Sequence, residues 1–139
     1  SAMNTGHDGS LSTGHSNSVE DMISRLETMI LMGTDIPLQA IRKQIASSLD
    51  IVVHLGRLRD KTRKVLEIVE IGDYIDGEIQ YNPLYRFEEL PIISENTNYN
   101  GEQTKVMGVL RATGNSLKNT RKLKAAGLYA GSERSAGDA

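Results

Sequence analysis

Apolar residues recur at helical spacing soon after the start of the chain, following a polar, glycine-rich stretch. The residues that share i, i+3, i+4 and i+7 intervals are Val19, Met22, Ile23, Leu26, Met29 and Ile30. Asn17 precedes them as a candidate N-cap, with Glu20 three residues later in the manner of a capping box. Gly33 is the type of residue that ends helices. The pattern predicts an amphipathic helix over 18–32.

A second helical series begins after Pro37, a residue favoured in the first turn of a helix. Its apolar face consists of Leu38, Ile41, Ile45 and Leu49. β-Branched and alternating apolar residues then replace the helical period. They predict a strand at 51–55, a turn at 59–62, a second strand at 63–74 and a third strand interrupted by Pro83. Asp76-Gly77 is a turn sequence that joins antiparallel strands, so we expect a β-meander.

The two ends of the chain carry weaker patterns. Residues 10–15 are a short strand candidate bounded by turn-forming residues. Asn115 or Ser116 could cap a short helix that ends at Gly127. The predicted organisation is a cloning remnant and start at 1–4, a folded part at 5–92, a flexible linker at 93–112 and a basic extension with a short helix and a disordered end at 113–139.

Composition limits the class of protein. The 139 residues suffice for one modest domain with a core. The chain has no cysteine, which excludes disulfides, cysteine-ligated zinc and a thiol nucleophile. We see no signal peptide and no apolar run near the roughly 18 residues that span a bilayer. The formal net charge of −2 gives no reason to expect nucleic acid as a partner. These features favour a cytoplasmic chain.

The candidate chemistry lies in two histidines, His7 before the 10–15 segment and His15 at its end. An imidazole can donate to phosphate oxygens, and a glycine-rich surround lets backbone N–H groups approach the same oxygens. The alternative is that both histidines only cap the ends of a strand. We expect no metal site, because Asp8 alone stands near as a third ligand. Serine nucleophile chemistry lacks its elbow sequence.

Two sets of basic residues offer further candidates. Arg57 and Arg59 stand beside the first predicted hairpin turn, where they could contact a phosphate or a neighbouring subunit, or remain on a solvated tip. From Lys105 to Leu128 the chain has basic residues and no acidic one. That segment could bind nucleic acid or an anionic membrane surface. Only Tyr129 is near for base stacking and there is little apolar face to insert, so a solvated tail that packs loosely on its own domain is favoured.

The run from Thr5 to Ser18, Thr-Gly-His-Asp-Gly-Ser through Thr-Gly-His-Ser-Asn-Ser, resembles the histidine box of the secretion ATPases. The stretches 24–29 and 41–50 resemble the Tad/Flp-pilus branch, which is close to the type II and type IV systems. So does the strand pair that contains Arg57-Leu58-Arg59-Asp60. The resemblance covers about residues 3–90, and several motifs occur in the same order.

This resemblance implies an α/β fold, the C-terminal portion of a RecA-like P-loop ATPase domain with a short strand, two helices, a β-meander and a flexible basic tail. By the same resemblance, His15 and His7 are the catalytic candidates, and Thr13, Gly14 and Asn17 frame the nucleotide. The chain has no G-x-x-x-x-G-K-[ST] sequence and no acidic strand before residue 5, so we expect it to be inactive alone.

For the intact protein, the resemblance implies ATP and Mg²⁺ as cofactors and a cytoplasmic hexamer that drives protein export or pilus assembly. The expected partner is an inner-membrane platform protein, through which the hexamer associates with the membrane. No nucleic acid is expected as a partner. The rival interpretations are a non-catalytic interaction module of the secretion platform and a nucleic-acid-binding protein that uses the basic C-terminal segment.

Overall fold

The computed structural model describes residues 9–91 and 105–129, which form a mixed α/β fold. Two helices come first, followed by four strands and a short final helix. The elements are α1 (Val19–Gly33), α2 (Leu38–Ser48), β1 (Ile51–Arg57), β2 (Arg63–Ile75), β3 (Glu78–Glu89), β4 (Gly108–Ala112) and α3 (Arg121–Ala125). The two helices and the meander predicted from periodicity are confirmed, with bounds that differ by one or two residues.

The four strands form one antiparallel sheet in the order β1-β2-β3-β4. The turn between β2 and β3 consists of Asp76 and Gly77, whose φ angles are 51° and 86°. Two positive φ values in succession match the twist of an antiparallel hairpin, which is why the Asp-Gly pair was a good predictor here.

Pro83 does not interrupt the third strand as predicted. Val69 of β2 pairs with Pro83 and the neighbouring Ile68 pairs with Tyr85, so Leu84 is the extra residue of a β-bulge. Proline cannot donate a ladder hydrogen bond, and a bulge is a place where a sheet tolerates it. The Leu84 carbonyl instead accepts a hydrogen bond of 2.9 Å from the Thr113 N–H, just after β4.

The core lies between the helix pair and one face of the sheet. Its buried members are Val19, Ile23, Ile41, Ile45, Val69, Ile71 and Ile79. Ile23 and Ile41 are the largest side chains that are fully enclosed. Each helix contributes its i, i+4 pair, which is the face that the hydrophobic spacing predicted.

A polar contact at the edge of the core joins both helices to the β2–β3 turn. The Arg42 guanidinium of α2 donates to the Glu27 carboxylate of α1 at 3.0 Å and to the Gly77 carbonyl at 3.2 Å. The hydrogen bond that Arg42 donates to Glu27, together with the charge of that carboxylate, raises the pKa of Arg42. Arg42 therefore orients the helix pair relative to the turn.

The strand predicted at residues 10–15 is wrong where it can be seen. Residues 9–16 have no strand partner in the described part of the chain, and the side chain of Leu11 is fully exposed. A strand forms only where a neighbouring strand accepts its backbone hydrogen bonds. The predicted N-cap is also displaced by one position, because Ser18 rather than Asn17 caps α1.

The C-terminal predictions need a similar correction. The linker predicted at 93–112 does not extend to its end, because Gly108–Ala112 form β4 beside β3. The short helix begins at Arg121 rather than near Asn115, and Gly127 follows it with a φ of 70°. Residues 92–104 and 130–139, including the predicted disordered end, lie outside the described residues. Within the described ranges, no helix is long and apolar enough to cross a membrane.

Candidate functional site

The segment around His15 is held to α1 through its backbone, and the imidazole remains exposed. Arg25, on the second turn of α1, donates a hydrogen bond of 2.8 Å to the His15 carbonyl. The Ser16 hydroxyl donates to the Ser18 carbonyl at 2.9 Å. The structure thus fixes the main chain and leaves the His15 ring available to a ligand. His7, the other predicted catalytic residue, lies outside the described residues.

A capping arrangement connects this segment to the first turn of the helix. The Ser18 hydroxyl accepts a hydrogen bond of 3.0 Å from the Asp21 N–H. The Asp21 carboxylate in turn accepts one of 3.1 Å from the Asn17 N–H. Each contact satisfies a backbone donor that the helix itself cannot pair. Asn17, predicted to frame the nucleotide, is therefore positioned by its backbone.

Gly14 lies against the end of the Met22 side chain of α1, which would have to shift to admit a larger residue. A Cβ at position 14 would lie 3.1 Å from the Met22 sulfur and closer still to its terminal methyl. Thr13, Gly14, His15 and Asn17 are all exposed. The structure therefore brings together the predicted residues of one loop, here called the histidine loop and defined as residues 13–18.

The predicted arginines belong to a different part of the surface. Arg59 forms a two-point ion pair with Glu89 of β3, with one contact at 2.9 Å. This hydrogen bonding raises the pKa of Arg59 and lowers the pKa of Glu89. Arg57 is exposed at the end of β1. In the described ranges, no hydrogen bond joins either arginine to the histidine loop, and their predicted phosphate or inter-subunit contacts stay predictions.

No site role was predicted for Glu67, a carboxylate in the middle of β2. Its Oε1 accepts a hydrogen bond of 3.2 Å from the Val19 N–H, the first residue of α1. The same oxygen lies 3.7 Å from Nδ1 of His54, its cross-strand neighbour on β1. A carboxylate at a helix N-terminus also interacts favourably with the helix dipole. Glu67 therefore connects the sheet to the base of the histidine loop.

A pocket of about 250 Å³ opens beside this contact. It is lined by Ser18, Val19, Glu20, Glu67, Val69, Tyr81, Pro83 and Arg86. Burial raises the pKa of the Tyr81 hydroxyl, and the nearby Glu20 and Glu27 raise it further. The pocket lining thus carries two carboxylates, Glu20 and Glu67, and one guanidinium, Arg86, which is the cross-strand neighbour of Glu67.

A second carboxylate on the same strand, Glu70, is buried and anchors the C-terminal segment. It accepts hydrogen bonds from the Lys118 N–H and the Asn119 N–H at 2.9 Å each, and from the Asn82 amide at 2.8 Å. Burial alone would raise the pKa of Glu70, but these hydrogen bonds outweigh it and lower the pKa. The extension is therefore fixed to the sheet here, unlike the loosely packed tail that the sequence suggested.

Asp60 provides a similar attachment at the β1–β2 turn. Its carboxylate accepts from the Thr62 hydroxyl at 2.6 Å and from the Val106 N–H at 2.8 Å. These contacts, with the Thr62 hydrogen bond the largest, lower the pKa of Asp60 to about 2. Val106 is buried, so the turn and the entry to β4 are joined at this point.

In the described residues, no group of three His, Cys, Asp or Glu side chains is placed to hold a metal ion. The available chemistry is that of hydrogen-bond donors. An exposed imidazole stands beside a glycine just before α1, where a phosphate oxygen could accept from the His15 ring. The N–H groups of Asn17, Val19 and Asp21 already donate to side chains of the chain.

This chain is similar in sequence to proteins of secretion and conjugal transfer systems. A family model described as "Type II/IV secretion system protein" matches residues 1–123. The conjugal transfer protein TrbB of Rhizobium radiobacter is 31% identical over 88 residues, which make up 63% of this chain and 26% of that protein. A Mycobacterium tuberculosis H37Rv protein named "Putative conjugal transfer protein" is 29% identical over 79 residues, 57% of this chain and 22% of that protein. The chain spans about a quarter of the length of these relatives.

Proposed function

Because the chain belongs to the type II/IV secretion system protein family, we propose that it is the C-terminal part of a secretion ATPase. In this proposal the histidine loop forms one side of an ATP site, and His15 contacts the terminal phosphate. The fold described above is then the end of a RecA-like domain. A P-loop and an acidic strand would come from a preceding segment of a longer protein.

One observation supports this proposal most strongly. The backbone of the histidine loop is fixed by Arg25 and by the Ser18–Asp21 cap, while the His15 imidazole is exposed. A loop that only capped the end of a strand would direct its histidine at backbone groups of the sheet. Here the carbonyl of His15 is the bonded group, and the ring remains available for a ligand.

The cofactors in this proposal are ATP and Mg²⁺. His15 and the loop N–H groups are donors, which suits them to phosphate oxygens rather than to a cation. Mg²⁺ would enter with the phosphates and be held by carboxylates or hydroxyls outside this chain. When bound, ATP supplies the phosphoryl chemistry, and the residues seen here orient its terminal phosphate. The chain alone is proposed to be inactive.

The whole protein is proposed to act as a cytoplasmic hexamer at the inner face of a bacterial membrane, where a platform protein recruits it. The motif order from residue 5 to residue 70 favours a Tad/Flp-pilus-like system that assembles a pilus or exports protein. The names of the two relatives favour DNA transfer between cells as the second candidate system. Both systems require the same ATP-driven motor, so the site proposal is common to them.

The test begins with the coding sequence upstream of this chain and continues with the full-length protein. We expect a P-loop upstream, and we expect ATP hydrolysis that falls when His15 is replaced by alanine. The matched control is Ser24→Ala, an exposed position on α1. An upstream sequence without a P-loop would favour a non-catalytic interaction module. Salt-dependent retardation of DNA by the 139-residue chain would favour nucleic-acid binding.

A further inference from the structure

We propose that Glu67 is a positioning residue, which sets the location of the α1 N-terminus and, through it, of the His15 ring. The proposal rests on the ATPase function proposed above for its kinetic consequence. The positions of α1 and of the histidine loop follow from hydrogen bonds within the chain.

A hydrogen bond between Val19 and Glu67 connects the start of α1 to the sheet. The Val19 N–H is one of the helix donors that have no partner within α1. It donates to Glu67 Oε1 across 48 residues of sequence, at 3.2 Å. Val19 is itself buried against the core, and its hydrogen bond to Glu67 is partly buried beside the pocket. The start of α1 is therefore held at a defined point on β2.

Glu67 lies between residues of the two neighbouring strands. His54 and Arg86 are its cross-strand neighbours on β1 and β3. His54 Nδ1 lies 3.7 Å from Glu67 Oε1, with side-chain exposures of 15% and 24% for the two residues. The partly buried Glu67 carboxylate lies between the Val19 N–H and the His54 ring, and these two neighbours limit its alternative orientations.

Hydrogen bonds connect the first two turns of α1 to the histidine loop. Ser18, Asp21 and Arg25 are on or next to the first two turns of α1, and each is bonded to the loop or caps it. A displacement of the helix start would therefore move residues 15–18 with it. An error of about 1 Å in a catalytic group is enough to reduce a rate on the order of 100-fold. Glu67 would thus act on the reaction through His15 without touching the nucleotide.

The test compares two side chains of similar length on the 139-residue chain. Glu67→Met removes the acceptor, whereas Glu67→Gln keeps one. The control is Asp73→Ala, which removes an exposed carboxylate from the same strand. The readouts are amide hydrogen exchange at Val19, with Ile41 as a core reference, and the NMR signals of the His15 ring. Glu67→Ala serves as a second variant if the methionine does not fold.

We expect Glu67→Met to raise exchange at Val19 by about 10-fold or more relative to Ile41 and to shift or broaden the His15 signals. Glu67→Gln should remain within about 3-fold of the parent, and Asp73→Ala should leave both readouts unchanged. Unaltered Val19 exchange and His15 signals in Glu67→Met and Glu67→Ala would overturn the proposal. So would equal effects of Glu67→Met and Glu67→Gln.

A kinetic measurement on the full-length protein separates this proposal from the function on which it rests. Glu67→Met should lower kcat for ATP hydrolysis more than it changes KM, and Glu67→Gln should restore most of the loss. If the full-length parent hydrolyses no ATP, the proposed function fails, while the exchange data still decide the structural claim. If the parent is active and Glu67→Met retains its full kcat, the positioning role is refuted.

Discussion

Replacement of Glu70 by alanine tests how the C-terminal segment is attached to the sheet. Glu70 is 3% exposed and accepts hydrogen bonds from two backbone N–H groups, of Lys118 and Asn119, and from the Asn82 amide. Alanine removes all three acceptor contacts at once. The buried Asn82 amide also loses one of its two hydrogen bonds, since it donates to the Ser116 carbonyl as well, at 2.9 Å.

The expected cost is about 3 kcal/mol. Hydrogen bonds to a charged acceptor contribute roughly 1.5–3 kcal/mol each. The sum is reduced because Lys118 and Asn119 are exposed residues whose N–H groups water can reach once the segment lifts. For a domain of this size, a loss of about 3 kcal/mol corresponds to a fall in Tm on the order of 10 °C. Glu70→Gln retains one acceptor oxygen, so its effect should be intermediate.

Thermal unfolding and limited trypsin digestion provide the assay. Release of the segment should speed cleavage after Lys118 and Arg121 in Glu70→Ala, while Asp73→Ala, a carboxylate loss on the same strand, should melt and cleave like the parent. The pKa of Glu70 is lowered in the fold, so its contribution is present at neutral pH and is lost as the pH falls through that lowered pKa. A Tm within about 1 °C of the parent, with unchanged cleavage, would refute the anchoring role.

The remaining predictions concern the core, β4 and the β1–β2 turn. Ile41→Ala should lower the free energy of unfolding by about 2–5 kcal/mol in urea titrations, since Ile41 is fully buried; a loss below about 1 kcal/mol would contradict this packing. Gly108→Ala should destabilise the chain, because a Cβ there would meet the Phe87 ring, whereas Gly33→Ala, with no atom within 4 Å, should not; equal Tm values for the two would contradict it. Asp60→Asn should make stability depend less on pH below about pH 4. The stability that the Asp60 carboxylate provides is present above about pH 4 and is lost as the pH falls toward its pKa of about 2. Identical acid titrations of the parent and the variant would contradict this.

Local patterns in the sequence were enough to predict most of the fold. The helical spacing from Val19 to Ile30 and the Asp76-Gly77 turn each depend on residues that are close in sequence. In β1 the alternating apolar residues Ile51, Val53 and Leu55 lie on the exposed face, and Val52 packs against the core. These elements therefore appear near the predicted positions.

Elements that depend on a distant partner were not predictable in this way. The 10–15 segment has the bounds of a strand but no neighbouring strand in the described residues, and Gly108–Ala112 reads as linker yet pairs with β3. Pairing across tens of residues leaves little trace in a local window. Ser18 rather than Asn17 caps α1, a difference of one residue that sequence cannot settle when both are good caps.

In the candidate site, too, features set by nearby residues were predicted and those set by distant partners were not. Sequence motifs pointed to the histidine loop, and the structure places its described residues together at the start of α1. Glu67 and Glu70 were not singled out, because their roles come from donors about 50 residues away. One signal was available for Glu70, a charged residue between apolar neighbours in a strand that is buried there.

The central claim, that this chain contributes one side of an ATP site through His15, is tested most directly by steady-state ATP hydrolysis of the full-length protein. The measurement compares the parent with His15→Ala and with Ser24→Ala on the exposed side of α1. We expect His15→Ala to lower kcat by about 10-fold or more, as for loss of a positioned donor to a reacting phosphate, and Ser24→Ala to retain parental activity. Equal kcat and KM values for His15→Ala and the parent would show that His15 does not contact the reacting phosphate.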